Sequence, residues 1–162
     1  MTDKIIPAAD NARAFRNALG TFATGVTVVT TTGPIGHVGI TVNSFSSISM
    51  DPALVMFSVA KASKRHDSFA DHGPFAIHVM AQPQDDIATG FAMNAQAFEA
   101  AEWTENPEGI RVIAGCLAAF ECETYAVYDG GDHAIIVGRV LRFSQCDGEG
   151  LLFSQGKYGR FI

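Results

Sequence analysis

Cysteine is scarce in this chain of 162 residues: Cys116, Cys122 and Cys146 form neither a CxxC pair nor an even framework, so the reading is of buried, reduced thiols. Five histidines, His37, His66, His72, His78 and His133, are scattered without an HExxH or a Cys/His cluster, and no metal site is expected. Basic residues are also few. Eleven Lys plus Arg against 17 Asp plus Glu give a formal charge of −6, which argues against a surface built for phosphate backbones and against a nucleic-acid partner. The longest apolar runs, such as "ALVMF", are far too short to span a bilayer, and "MTDKIIPAAD" lacks the apolar core of a signal peptide. A soluble, cytoplasmic protein with no membrane partner is expected. Nucleotide-binding devices are missing as well: "GPIGHVG" does not match GxGxxG, and there is neither a GxxxxGK[ST] nor a GxSxG. If the chain is an enzyme, a bound cofactor does the chemistry.

What is present is enough apolar sequence, 48% of residues, for one sizeable core, and the length suits a single domain over residues 1–162 with 1–10 as a flexible extension. Ala14, Phe15, Ala18, Leu19 and Phe22 recur at helical spacing after Asp10 or Asn11, predicting a surface helix with one buried stripe, stopped by Gly25. "VTVVTTT" and "HVGITV", joined by "GPIG", read as a β-hairpin. "ALVMFSV" reads as a strand buried on both faces, and Ser63 as the N-cap of a short helix ended by Gly73 and Pro74. "FAIHVMA" is a further strand, followed by a helix opening at Pro83 with Ile87 and Phe91 four apart. No clean period runs from Met93 to Ala114, where an irregular connection is expected. "LAAFECETYAVY", the turn "DGGD", "HAIIVGRVLRF" and "GLLF" then read as successive antiparallel strands. Many strands, short helices and no βαβ alternation favour an antiparallel barrel.

Two stretches carry candidate chemistry. "GITVNSFSSISMDP" (39–52) crowds hydroxyls around one phenylalanine; such a loop either closes a turn or holds something polar, and Thr41, Asn43, Ser44 and Ser46 can donate to a phosphate or a ring carbonyl. "AKASKR" follows a strand and precedes a short helix, placing Lys61, Lys64 and Arg65 within five residues of an acidic chain. That is either a solvated basic turn or an anion site.

Taken together, "FATGVTVVTT", "GITVNSFSSISMDPALVMFSV", "FAIHVMA", "GDHAIIVGRV" and the terminal "GKYGRF", in that order from about Phe15 to Phe161, resemble the flavin reductase-like family. These are small NAD(P)H:flavin oxidoreductases that serve two-component flavin-dependent monooxygenases. The resemblance implies a mainly β fold, the FMN-binding split barrel: a six-stranded antiparallel Greek-key barrel with flanking helices, usually a homodimer. It implies hydride transfer from NADH, with NADPH the less favoured donor, to FMN or FAD, and delivery of reduced flavin to a partner monooxygenase. The alternative is a non-catalytic protein that keeps FMN as a fixed prosthetic group. The family's flavin-contacting segments fall on Thr41, Val42, Asn43 and Ser44, and on Ser58, Val59, Ala60, Lys61, Ser63 and Lys64. Gly131, Asp132 and His133, with Tyr158, fall on its nicotinamide side, His133 as the positioning residue. The residues alone also allow Asp132 and His133 to be turn formers and Tyr158 a packing residue. The chain departs from relatives at Ala53, where they often carry a second Pro, and at His78, where they often carry Asn.

Overall fold

The computed structural model describes residues 3–161; the ends of the expected 1–162 domain, Met1, Thr2 and Ile162, lie outside the described residues. One helix, α1 (Ala12–Leu19), precedes β1 (Thr24–Gly25), and the hairpin β2 (Thr27–Gly33) and β3 (Gly36–Val42) follows. Next come β4 (Ser46–Met50), β5 (Ala53–Ala60), α2 (His66–Ala70), β6 (Pro74–Val79) and α3 (Asp85–Met93). A small hairpin, β7 (Trp103–Glu105) and β8 (Arg111–Ile113), leads to two long strands, β9 (Ala118–Gly130) and β10 (His133–Gln145), and the chain ends in β11 (Leu152–Ser154) and β12 (Lys157–Gly159).

Seven strands form one antiparallel sheet in the order β3-β2-β6-β9-β10-β5-β4. Its inward residues, including Val29, Val38, Phe57, Phe75, Ile77 and Ile136, converge on a single core, so the sheet is curled into a barrel. The strands from β3 through β5 make up the six expected from the resemblance, and β4 is added on the outer edge of β5. A second core lies outside the barrel wall, where Val26 and Val28 meet Met80, Ala88, Phe91, Phe98, Ile113 and Leu151. The strand buried on both faces is therefore β2 rather than β5. In β5 only Val55, Phe57 and Val59 face the core, in strict alternation with half-exposed neighbours. A run of apolar residues does not report two-sided burial when the second face is left to other partners.

Four further expectations change. Residues 46–50 are an edge strand, so the hydroxyl-rich loop shrinks to 43–45. The interval 93–114 contains the β7–β8 hairpin, with Arg111 lying over the Trp103 ring at 3.9 Å from its centroid. Helix α2 starts at His66, because the Ser63 hydroxyl accepts from the Arg65 amide and closes a turn there instead of capping a helix. Helix α1 ends at Gly20, and none of its residues is buried: Phe15, Leu19 and, beyond it, Phe22 are 49%, 60% and 78% exposed. Helical spacing marks a stripe that needs covering, but not what covers it. Residues 6–8 meet the start of α1 through Asn11, which donates to the Ile6 carbonyl and accepts from the Ala8 amide.

Because β2 is enclosed, its polar side chains must find partners inside. Thr27, Thr30 and Thr31 donate to the carbonyls of Val42, Arg111 and Pro74 at 2.7–2.9 Å. His78 of β6, opposite Val28, is fully buried. Its Nε2 accepts from the Ile113 amide at 3.0 Å, which requires the proton on Nδ1, where it is donated to the Val28 carbonyl at 2.8 Å. The ring is thus a neutral staple joining β2, β6 and β8. Burial pushes its pKa from 6.5 down to about 4, opposed by the Val28 carbonyl and Glu121. The unfolded chain takes up a proton near 6.5 while the native ring stays neutral, so stability is lost as the pH falls from about 6.5 to about 4. Urea unfolding across that window should show a loss of roughly 3 kcal/mol from this group. His78→Gln should be less stable at neutral pH yet show a flatter acid limb; an unchanged limb would remove His78 as its source.

Candidate functional site

The two outer residues of β3, Gly39 and Thr41, pack against α3. A Cβ on Gly39 would lie 2.5 Å from the Phe91 ring, so only glycine lets the helix approach this closely. The Thr41 hydroxyl donates to the Ala88 carbonyl at 2.6 Å. Beyond this contact the C-terminal end of α3 leans over a cleft of about 650 Å³ between β3 and the 60–65 turn. Ser63, Lys64 and Arg65 line one side, Ala92 to Gln96 the other, and among the described residues no carboxylate faces it. Thr41 and Ala92 also line a smaller apolar hollow of about 210 Å³, with Val42, Asn43, Phe153 and Tyr158. The two spaces meet along Thr41, giving a groove that is cationic at one end and apolar at the other.

The expected residues divide between direct lining and support. Ala60, Ser63 and Lys64 reach the cationic end, and Val42, Asn43 and Tyr158 the apolar end, where Tyr158 meets Phe153 edge-on. Val59 is buried in the barrel core. Ser44 is spent internally: its hydroxyl accepts from the Ser58 amide at 2.9 Å and donates to the Ser58 carbonyl at 3.3 Å. With Thr41 engaged as well, Asn43 is the expected donor whose side chain has no hydrogen bond among the described residues. Ser63 accepts from the Arg65 amide, which leaves its hydroxyl proton for a ligand.

Lys61 turns away from the cleft to pair with Asp129, whose carboxyl it holds below the usual carboxylate range, while the Lys61 amide donates to the Asp132 carbonyl at 2.9 Å. That bond ties the 60–65 turn to the β9–β10 turn, made by Gly131 with φ +77. His133 pairs in register with Ala60, and its Nδ1 lies 2.7 Å from the Asp132 carboxylate, which it holds at lowered pKa. At this rim Asp132 is exposed and His133 half-buried, and among the described residues neither lines the groove within one chain, whereas Tyr158 does. Sequence reasoning missed the α3 wall, residues 92–96 and Phe153; Gly39 in the middle of a strand was the available sign of a close approach. Among the described residues no group of three His, Cys, Asp or Glu side chains converges on a point, and no helix is long and apolar enough to cross a membrane.

The flavin reductase like domain matches residues 19–161. The chain belongs to this family. FMN reductase (NADH) SmoA of Agrobacterium fabrum is 53% identical over 156 residues, 96% of this chain and 90% of that one. The reductase component of the flavin-dependent trigonelline monooxygenase of Acinetobacter baylyi is 42% identical over 93% of this chain, which spans 49% of that longer protein. Among solved structures, the NADH:FAD oxidoreductase SgcE6 of Streptomyces globisporus superposes with a TM-score of 0.90 at 34% identity, covering 100% of this chain and 94% of that one. The same reductase in complex with NAD and FAD fragments matches equally well, at 0.90 and 35% identity over 98% of each chain. The split-barrel expectation of a flavin reductase thus holds.

Ser44 provides a test of support against ligand contact. Ser44→Ala should lower unfolding free energy by about 1 to 2 kcal/mol, because the Ser58 amide and carbonyl lose their partner at a gap in the sheet. A variant of unchanged stability would return the hydroxyl to the ligand side.

Proposed function

We propose that this chain is an NADH-dependent flavin reductase that takes FMN or FAD in the groove and passes the reduced flavin to a flavin-dependent monooxygenase. The observation that carries the reading is the groove itself, apolar beside Asn43 and Tyr158 and cationic beside Ser63 and Lys64, in a chain of the flavin reductase-like family. The residues present fit a flat ring with an anionic tail. A bound flavin supplies the hydride acceptor: NADH gives up two electrons and a proton as hydride to the ring, and a second proton comes from water. The chain's own work is orientation. Asn43 and the strand backbone at Val42 and Ser44 would hold the ring, and Ser63 and Lys64 would hold the phosphate. Ala60 lines the groove, Ser58 and Val59 support it from the sheet and the core, and Lys61 fixes the turn. His133, oriented by Asp132, and Tyr158 would hold the nicotinamide donor. The cytoplasm is the proposed location, supported by the free thiols of Cys116, Cys122 and Cys146 and checked by cell fractionation.

One set of kinetic measurements tests these roles. Wild-type protein should oxidise NADH only with added flavin. Lys64→Ala should weaken FMN binding about tenfold, with riboflavin affected less than about twofold, and Lys61→Ala should matter less than Lys64→Ala. His133→Ala should lower kcat/KM for NADH about tenfold at unchanged flavin affinity. No flavin-dependent turnover would overturn the activity, equal losses for FMN and riboflavin the phosphate assignment, and a melting drop with unaltered NADH kinetics the role of His133.

A homodimer completes the proposal. Leu19, Phe22, Phe45 and Phe153 border an open hollow of about 600 Å³ between α1 and the 43–46 segment, and Met50 and Phe143 are 93% and 70% exposed. Apolar surface on this scale calls for a partner, and a second copy would also bring its own β9–β10 rim within reach of the groove. Light scattering at micromolar concentration should give the mass of two chains, and Phe22→Glu should shift it toward one. A fully active wild-type monomer would refute the dimer.

A further inference from the structure

Around the cationic end of the groove three separate segments have to keep a fixed spacing: the edge strand β3, the 60–65 turn and the end of α3. Arg65 touches all three. It belongs to the turn, and its Nη1 donates to the Gly39 carbonyl of β3 at 3.1 Å and to the Phe91 carbonyl of α3. Gly39 lies on the outer edge of the sheet, where its carbonyl has no neighbouring strand to meet. Phe91 carries one of the last four helix carbonyls, which lack intrahelical donors and favour a cation. Both acceptors therefore want what the guanidinium offers, and the two N–H groups of one Nη1 serve both from the end of a side chain one bond longer than lysine's.

The electrostatics point the same way. Lys61, Arg139 and Arg142 each pair with a carboxylate, but among the described residues neither Lys64 nor Arg65 does. Two adjacent uncompensated cations, with no carboxylate among the described residues that line the cleft, are arranged for an anion that comes from outside. Burial lowers the pKa of Arg65 from its ordinary value, as expected for a guanidinium held by neutral carbonyls alone.

We propose that Arg65 is a positioning residue: its clamp on Gly39 and Phe91 holds Ser63 and Lys64 at the spacing from β3 and α3 that meets a flavin phosphate. This rests on the phosphate reading above and deepens it, since Arg65 acts through Lys64 instead of contacting the ligand. A preset pair of donors binds without the ordering cost that a loose turn would incur.

A double-mutant cycle tests it, with FMN and riboflavin as probes and melting temperature recorded for each variant. Arg65→Ala should weaken FMN binding about tenfold and riboflavin less than about twofold, whereas in a Lys64→Ala background it should add less than about twofold for FMN. Arg65→Lys keeps the charge but ends one bond short of Nη1, cannot reach both carbonyls and should rescue little of the loss; it also carries the test if the alanine variant fails to fold. Losses that multiply fully across the cycle would make Arg65 an independent phosphate ligand and overturn the proposal. So would full rescue by lysine, or equal losses for both probes with a lowered melting temperature. If wild-type protein binds FMN no better than riboflavin, the phosphate reading itself fails, and that is seen before any variant is made.

Discussion

The barrel is closed by packing but not by hydrogen bonding between its first and last strands. β3 pairs only with β2, and β5 only with β10 and β4, yet residues of β3 and β5 share one apolar core. Where the ladder is interrupted, backbone groups still need partners. Ser44 stitches part of the gap by engaging both the amide and the carbonyl of Ser58. The 60–65 turn and the end of α3 are set beside the opening by Thr41, Gly39 and Arg65. A sheet with every edge paired would have left no room for the groove between these elements.

The second constraint is the enclosure of β2 between two cores. A strand with water on one face could leave threonines solvated; here each buried hydroxyl is aimed at a specific carbonyl, and the one buried imidazole at a carbonyl and an amide. These bonds attach the β7–β8 hairpin to the barrel and brace β2 against its neighbours β3 and β6. Each is worth only about 1 kcal/mol net, but an orphaned member costs more than its bond contributes. The outer core in turn seats α3, and α3 forms one wall of the groove. The polar chemistry of the site is thus supported by apolar packing on the far side of the same strand.

Much of this was legible from residue pattern. The β2–β3 and β9–β10 hairpins followed from alternation around Gly-rich turns, and α3 from Pro83 with Ile87 and Phe91. The five motifs in order carried the family, and with it the two segments proposed above to face the flavin. The pattern could not say how the hydroxyls were used. Thr41, Asn43 and Ser44 look alike as polar residues in a loop, but Thr41 meets α3, Ser44 meets β5, and only Asn43 is left free.

The sequence by itself determined the β2–β3 and β9–β10 hairpins, β5, β6 and α3, but not β4 or the β7–β8 hairpin; it also determined that the chain is acidic with one local cluster of cations, and which family's motifs it bears. Those properties are written in neighbouring residues, whose spacing reports on local geometry. Tertiary structure alone decided that Lys61 pairs with Asp129 while Lys64 faces the cleft, that His78 is a neutral staple, that the α1 stripe stays exposed, and that Arg65 joins β3 to α3. Each of these depends on a partner far away in the chain, such as Asp129 for Lys61, Ile113 for His78 or Gly39 and Phe91 for Arg65. Folding sets such distances by closing the sheet, and no local periodicity encodes them.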